Sequence, residues 1–214
     1  MSCGTKFFIL TESILYIIFL TLDLTGVSGS AWLKYAGILL CVCFGFAGAD
    51  SREDRLIALA LFFTAAADFF LLVLNRHYEA GVFIFCLVQL LYCVRLTFPE
   101  KKCPPGEIAL RIGIPAALIL LLALLHRQSL LNILVSIYFT NLVINALKSL
   151  RRPELSPMPA GFFLFIGCDI CVGLFNLNLQ IPWLYTFAAY AMWAFYLPSQ
   201  VLITLSVLIE HERS

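Results

Sequence analysis

Long apolar stretches alternate with short polar ones along the whole chain. Eight of the apolar stretches, at roughly 7–27, 31–50, 56–74, 78–97, 107–125, 129–149, 158–176 and 183–209, match the length of about 20 residues that a helix needs to cross a hydrocarbon core. Hydrocarbon offers backbone groups no water to bond, so stretches of this kind fold as helices. The pattern predicts an all-α polytopic membrane bundle of about eight transmembrane helices, a single integral membrane domain over residues 1–214. The first stretch carries Glu12 and Asp23, lacks a small-x-small cleavage site and is followed by more apolar chain. It is expected to stay in the mature protein and not to act as a cleavable signal.

Composition agrees. With 62% hydrophobic and 13% charged residues and a mean hydropathy of +0.95, too few polar side chains remain to cover a water-soluble surface. Net charge is +1, and no basic patch with interleaved aromatics occurs, so no nucleic-acid partner is expected. Lysines and arginines are unevenly shared between the connections. Lys6, Arg52, Arg55, Arg95, Lys101, Lys102, Arg111, Lys148, Arg151, Arg152 and Arg213 fall on one side, against Lys34, Arg76 and Arg127 on the other. That bias predicts a multi-pass protein of the cell membrane with both termini in the cytoplasm.

Sliding the chain along itself by 101 residues superposes the first four stretches on the last four, and Asp68 and Asn75 on Asp169 and Asn176. Two parallel four-helix repeats, 1–103 and 104–214, are the expectation, with both aspartates at one depth. Their positions lie about 3 to 5 Å past the span centres, on the non-cytoplasmic side.

The candidate chemistry lies in these two acids. An ionisable group at bilayer depth costs roughly 2.5–3.5 kcal/mol on insertion scales, and no lysine or arginine lies within a turn of Asp68 or Asp169. Helical spacing arranges the other intramembrane polar residues in stripes: Glu12, Tyr16 and Asp23; Thr64, Asp68 and Asn75; Gln89 and Tyr92; Tyr138, Asn141 and Asn145; Asp169 and Asn176; Trp193, Tyr196 and Gln200. Such stripes face one another, and six converging in one bundle predict a polar cavity. Asp23 is expected to pair with Lys34 near the outer boundary, and Glu12 to be paired structurally near the inner one. Lys34 also suits a lipid phosphate.

Other chemistries are disfavoured. There is no Gly-x-Ser-x-Gly, and His77, His126 and His211 lie in loops or the tail, which argues against a serine triad. No His-x-x-x-His or His-Glu-x-x-His occurs, so no metal site is expected. Most of the eight cysteines sit in apolar segments and read as packing, Cys168-x-x-Cys171 included.

Several stretches together resemble the YhhN family of lysoplasmalogenase-like membrane proteins: Lys34, Leu61-Phe62-Phe63-Thr64-Ala65-Ala66-Ala67-Asp68-Phe69-Phe70-Leu71-Leu72, Gln89-Leu90-Leu91-Tyr92, Phe163-Leu164-Phe165-Ile166-Gly167-Cys168-Asp169 and Tyr196-Leu197-Pro198-Ser199-Gln200-Val201-Leu202-Ile203. Two positions depart from the family pattern, which has Gly where this chain has Ala67 and His where it has Gln89. The resemblance implies hydrolysis of the vinyl-ether bond of a lysoplasmalogen to a fatty aldehyde and glycerophospho-ethanolamine or glycerophosphocholine, without a cofactor. The partners implied are a lysophospholipid substrate and membrane lipids. Asp68 and Asp169 would be the acid and base, and Lys34, Gln89, Tyr92, Tyr138, Asn141, Tyr196 and Gln200 would hold substrate and water. The alternatives are a proton-coupled transporter or lipid translocator using the same acids, and a non-catalytic relative.

Overall fold

The computed structural model describes residues 2–26, 29–98, 103–177 and 180–211. Lys101, Lys102 and Arg213, which entered the charge count, lie outside these residues. Among the described residues there are eight long helices: α1 Cys3–Thr25, α2 Ser30–Ala47, α3 Arg52–Asp68, α4 Tyr78–Thr97, α5 Pro105–Leu124, α6 Leu130–Ser149, α7 Met158–Asn176 and α8 Pro182–His211. All eight are long and apolar enough to cross a membrane, α3 being continued to Val73 by a π-helical segment, Phe69–Val73.

Two helix starts lie earlier than hydropathy alone places them, because polar side chains cap them. Ser2 accepts a hydrogen bond from the Thr5 backbone N–H at 3.1 Å, so α1 begins at Cys3. Ser51 and Asp54 form a reciprocal capping box that begins α3 at Arg52. These starts move the span midpoints. Asp68 lies about 8 Å beyond the centre of its span and Asp169 about 3 Å beyond the centre of α7. Glu12, expected near the inner boundary, lies about 3 Å from the centre of α1.

In the core, α7 lies along α8 and α3 along α4, while α2 packs on α3 and α8, and α4 on α6. Helices α7 and α8 meet backbone to backbone at Gly161, where a Cβ would stand 2.8 Å from the Ser199 carbonyl oxygen, so no larger residue fits between them. Helix α5 packs chiefly on α6 and buries only Pro115. Polar contacts hold it instead: Arg111 donates to Asn141 Oδ1 at 2.7 Å and to Asn145 Oδ1 and Glu107 at 2.8 Å.

One end of the bundle is tied by Arg95 at the end of α4. Its guanidinium meets Glu53 at 2.8 Å, Glu210 at 3.0 Å and Asp54 at 3.8 Å, joining the start of α3 to the end of α8. At the opposite end, Lys34 of α2 meets Asp23 of α1 at 2.7 Å, the pairing expected from the sequence. These ends are called the Arg95 face and the Lys34 face.

Candidate functional site

Asp68 is the last residue of α3 before the helix widens into its π segment, where Leu74 N–H bonds Phe69 O at 2.8 Å. Such π turns are frequent at functional sites. Asp169 projects from an unbroken stretch of α7. Each carboxylate has a tyrosine hydroxyl as its donor: Tyr196 of α8 to Asp68 Oδ2 and Tyr138 of α6 to Asp169 Oδ2, both at 2.6 Å. The acids obey the 101-residue offset, but their donors do not. The positions 101 residues before Tyr196 and Tyr138 hold Arg95 and Gly37.

Both acids and both tyrosines line one cavity of about 1110 Å³. Its floor holds Asp68, Phe165, Tyr138 and Tyr196, all buried. At the Lys34 face its mouth is rimmed by three exposed amides, Asn75, Asn132 and Asn176, and by Tyr78. Asn75 is held in the left-handed region at φ 47°, and its Oδ1 accepts from the Tyr78 hydroxyl at 2.8 Å. Between α6 and α7 the wall is formed by Val135 and Val172, which are 41% and 38% exposed, and by Gly173, which has no atom within 4 Å of where a Cβ would stand. The cavity therefore reaches the outer surface of the bundle sideways, through a slit between these helices.

The other residues expected at the site lie outside the cavity lining. Lys34 stands behind the wall, with its ammonium 4.5 Å from the centre of the Trp193 ring and 2.7 Å from Asp23. Trp193 does line the cavity, edge-on to Tyr196 at 5.6 Å, so Lys34 braces the donor of Asp68 through an aromatic ring. Gln89 accepts from Asn145 Nδ2 at 2.9 Å, and Asn141 accepts from Arg111. Tyr92 packs edge-on to Phe162 at 5.0 Å. Gln200 is wholly buried beside Ser199. Gln89 thus falls in the helix packing beneath the cavity and not in its wall.

Glu12 was expected to be paired structurally, and the structure corrects this. It is 2% exposed, and no lysine or arginine of the described residues forms an ion pair with it. Its Oε1 accepts from Cys41 Sγ at 3.6 Å, and its Oε2 has no hydrogen-bond partner among the described residues. The signal missed was the capped start of α1, which moves Glu12 to mid-span.

The model of the YhhN family matches residues 29–207, from the start of α2 into the last turn of α8. The chain belongs to the YhhN family. Both aspartates and both tyrosine donors fall inside the YhhN match, whereas α1, with Glu12, Tyr16 and Asp23, precedes it. No curated protein and no solved structure gives a significant match.

Proposed function

We propose that this protein is a membrane-embedded hydrolase resembling lysoplasmalogenase, which cleaves the vinyl-ether bond of a lysoplasmalogen to a fatty aldehyde and a glycerophospho-ethanolamine or glycerophosphocholine. The observation that carries the proposal is the pair of carboxyl groups on the wall of one cavity, each with a tyrosine donor and neither, among the described residues, with a cation.

A vinyl ether is cleaved by protonating its β-carbon. One carboxyl gives its proton as the C=C electron pair forms the new C–H bond, and the ether oxygen shares a lone pair to make an oxocarbenium ion. The other carboxylate takes a proton from water as the water oxygen bonds the α-carbon, leaving a hemiacetal. In its collapse the first carboxylate takes the hemiacetal hydroxyl proton, the second carboxyl returns a proton to the departing oxygen, and the C–O bond breaks. Aldehyde and alcohol leave with both groups restored. The scheme resembles glycoside hydrolysis, where two carboxyl groups flank an oxocarbenium-like transition state. Two acids in a shared low-dielectric cavity favour one neutral and one ionised form, as the scheme needs.

The cavity also suits a single-chain lipid. The rim of Asn75, Asn132 and Asn176 offers amides to the glycerol and headgroup, while Phe85, Phe139, Phe165 and Met192 offer an apolar bed. The slit between α6 and α7 lets such a lipid pass from the bilayer into the cavity. With the termini in the cytoplasm, as the charge bias suggests, the mouth would face the non-cytoplasmic leaflet.

The test is aldehyde release from lysoplasmenyl-ethanolamine and lysoplasmenyl-choline by the detergent-purified protein, with Asp68→Asn and Asp169→Asn run alongside. Release that disappears in both variants is expected. A folded wild-type protein silent on both lipids would overturn the proposal.

A further inference from the structure

Among the described residues that line the cavity, Asp68 and Asp169 are the only acids, and no lysine, arginine or histidine accompanies them from any helix of the wall. Lys34 does not reach the lining. It stands behind the Trp193 ring and is taken up by Asp23 at 2.7 Å.

Each carboxyl group is also only half used. The hydroxyls of Tyr196 and Tyr138 both donate to Oδ2, and Oδ1 of neither acid receives a hydrogen bond from the described residues. Asp68 is 4% exposed, so its second oxygen depends on what enters the cavity for a donor. A buried acceptor without a donor keeps its desolvation cost. The rim amides are too far up to help: Asn176 stands seven residues beyond Asp169 on α7, about 10 Å of helical rise toward the mouth.

A protonated primary amine answers both needs, because it brings three N–H donors and one positive charge. The rest of the cavity suits a single hydrocarbon chain attached to it. Leu71, Leu72, Val82 and Met192 offer an apolar bed, and the slit at Val135, Val172 and Gly173 opens sideways to the bilayer. At the floor, the Tyr196 ring stands 5.5 Å from that of Phe165 and 5.6 Å from that of Trp193, an aromatic lining that attracts a cation where an aliphatic one would not.

We propose that the cavity is a binding site for single-chain amphiphiles carrying a protonated primary amine, with the ammonium at the two carboxyl groups and the chain in the apolar bed.

Charge sets the selectivity. An alcohol of equal chain length buries the same apolar surface without a charge, and an alkyl phosphate brings a negative charge toward two acids with no cation to receive it. Amine, alcohol and phosphate are therefore expected to bind in that order. The inference goes beyond hydrolysis, and the two meet at one point. On the hydrolase reading the same floor holds the positive charge of the oxocarbenium ion, so a bound amine blocks aldehyde release.

Binding can be read without turnover. Of the three tryptophans in the chain, Trp193 lines the cavity, whereas Trp32 and Trp183 are 65% and 71% exposed. In a Trp32→Phe, Trp183→Phe background, the emission of Trp193 would be titrated with dodecylamine, dodecanol and dodecyl phosphate at neutral pH in phosphatidylcholine nanodiscs. A saturable change is expected with dodecylamine at a concentration ~10-fold or more below that needed with dodecanol, the gain of a charge-assisted hydrogen bond, and none with dodecyl phosphate. Adding Asp68→Asn and Asp169→Asn, which keep side-chain shape, is expected to erase the preference for amine while dodecanol still binds. The proposal fails if wild-type protein shows no saturable response to the amine or binds amine and alcohol alike, or if the preference survives both substitutions. Aldehyde release from lysoplasmalogen, run in parallel, keeps the two readings apart. Amine binding by protein that releases no aldehyde removes the hydrolase and keeps the site; hydrolysis that dodecylamine leaves untouched does the reverse.

Discussion

The Tyr16 hydroxyl donates to the carbonyl oxygen of Ala194 at 3.1 Å. In an unbroken helix that carbonyl would bond the N–H of residue 198, and Pro198 has none. Helix α1 thus supplies the hydrogen that the proline withholds from α8, two residues from Tyr196. Tyr16→Phe leaves the carbonyl unmet inside the bundle, at a cost of about 1–3 kcal/mol. The expected result is a lower midpoint of thermal unfolding in detergent, largely restored by adding Pro198→Ala, which returns the backbone N–H.

The two acids and their donors are expected to differ in weight. Asp68→Asn and Asp169→Asn should each lower the turnover rate of aldehyde release by ~100-fold or more, the range for loss of a general acid or base. Tyr196→Phe and Tyr138→Phe remove one hydrogen bond to each carboxylate and should cost about tenfold. Turnover measured at saturating lipid separates these losses from weakened binding.

Gly173 marks the slit between α6 and α7. Gly173→Phe places a ring where no atom now stands within 4 Å of a Cβ. If lipid enters there, KM for a long-chain lysoplasmalogen should rise ~10-fold or more, a loss of about 1.4 kcal/mol of binding, while a water-soluble short-chain vinyl ether reaching the mouth directly should be less affected. Parallel kinetics with the two substrates check this.

Arg95 ties α3, α4 and α8 together. Its side chain is 2% exposed, and Arg95→Leu would leave Asp54, at 5% exposure, buried with its negative charge uncompensated. A loss of about 3–5 kcal/mol in unfolding free energy is expected. Glu53→Gln, where the carboxylate is 32% exposed, should cost under ~1 kcal/mol. Denaturant unfolding of both variants in one detergent tests the contrast.

Much of the molecule was legible in the order of residues. The eight spans, the membrane class and the family resemblance follow from hydropathy and short motifs, and the structure and the family match agree with them. Asp68 and Asp169 stood out because an acid in an apolar run is a local anomaly. Their shared cavity was expected, and the structure places both in one. Helix starts at Cys3 and Arg52 were missed by about four residues, since one capping serine outweighs a polar first turn. That slip concealed the depth of Glu12.

By itself the sequence determined how many times this chain crosses the bilayer and which spans carry its acids, because transfer to hydrocarbon acts residue by residue. Tertiary structure alone decided which polar stripes meet. Tyr92, Gln89 and Gln200 belong to stripes as polar as those of Tyr138 and Tyr196, yet only the last two reach the carboxylates. Periodicity says which face of a helix is polar. Which neighbour that face meets is set by close approaches such as Gly37 against Leu197 and Gly161 against Ser199, where contacts between distant segments choose the partner.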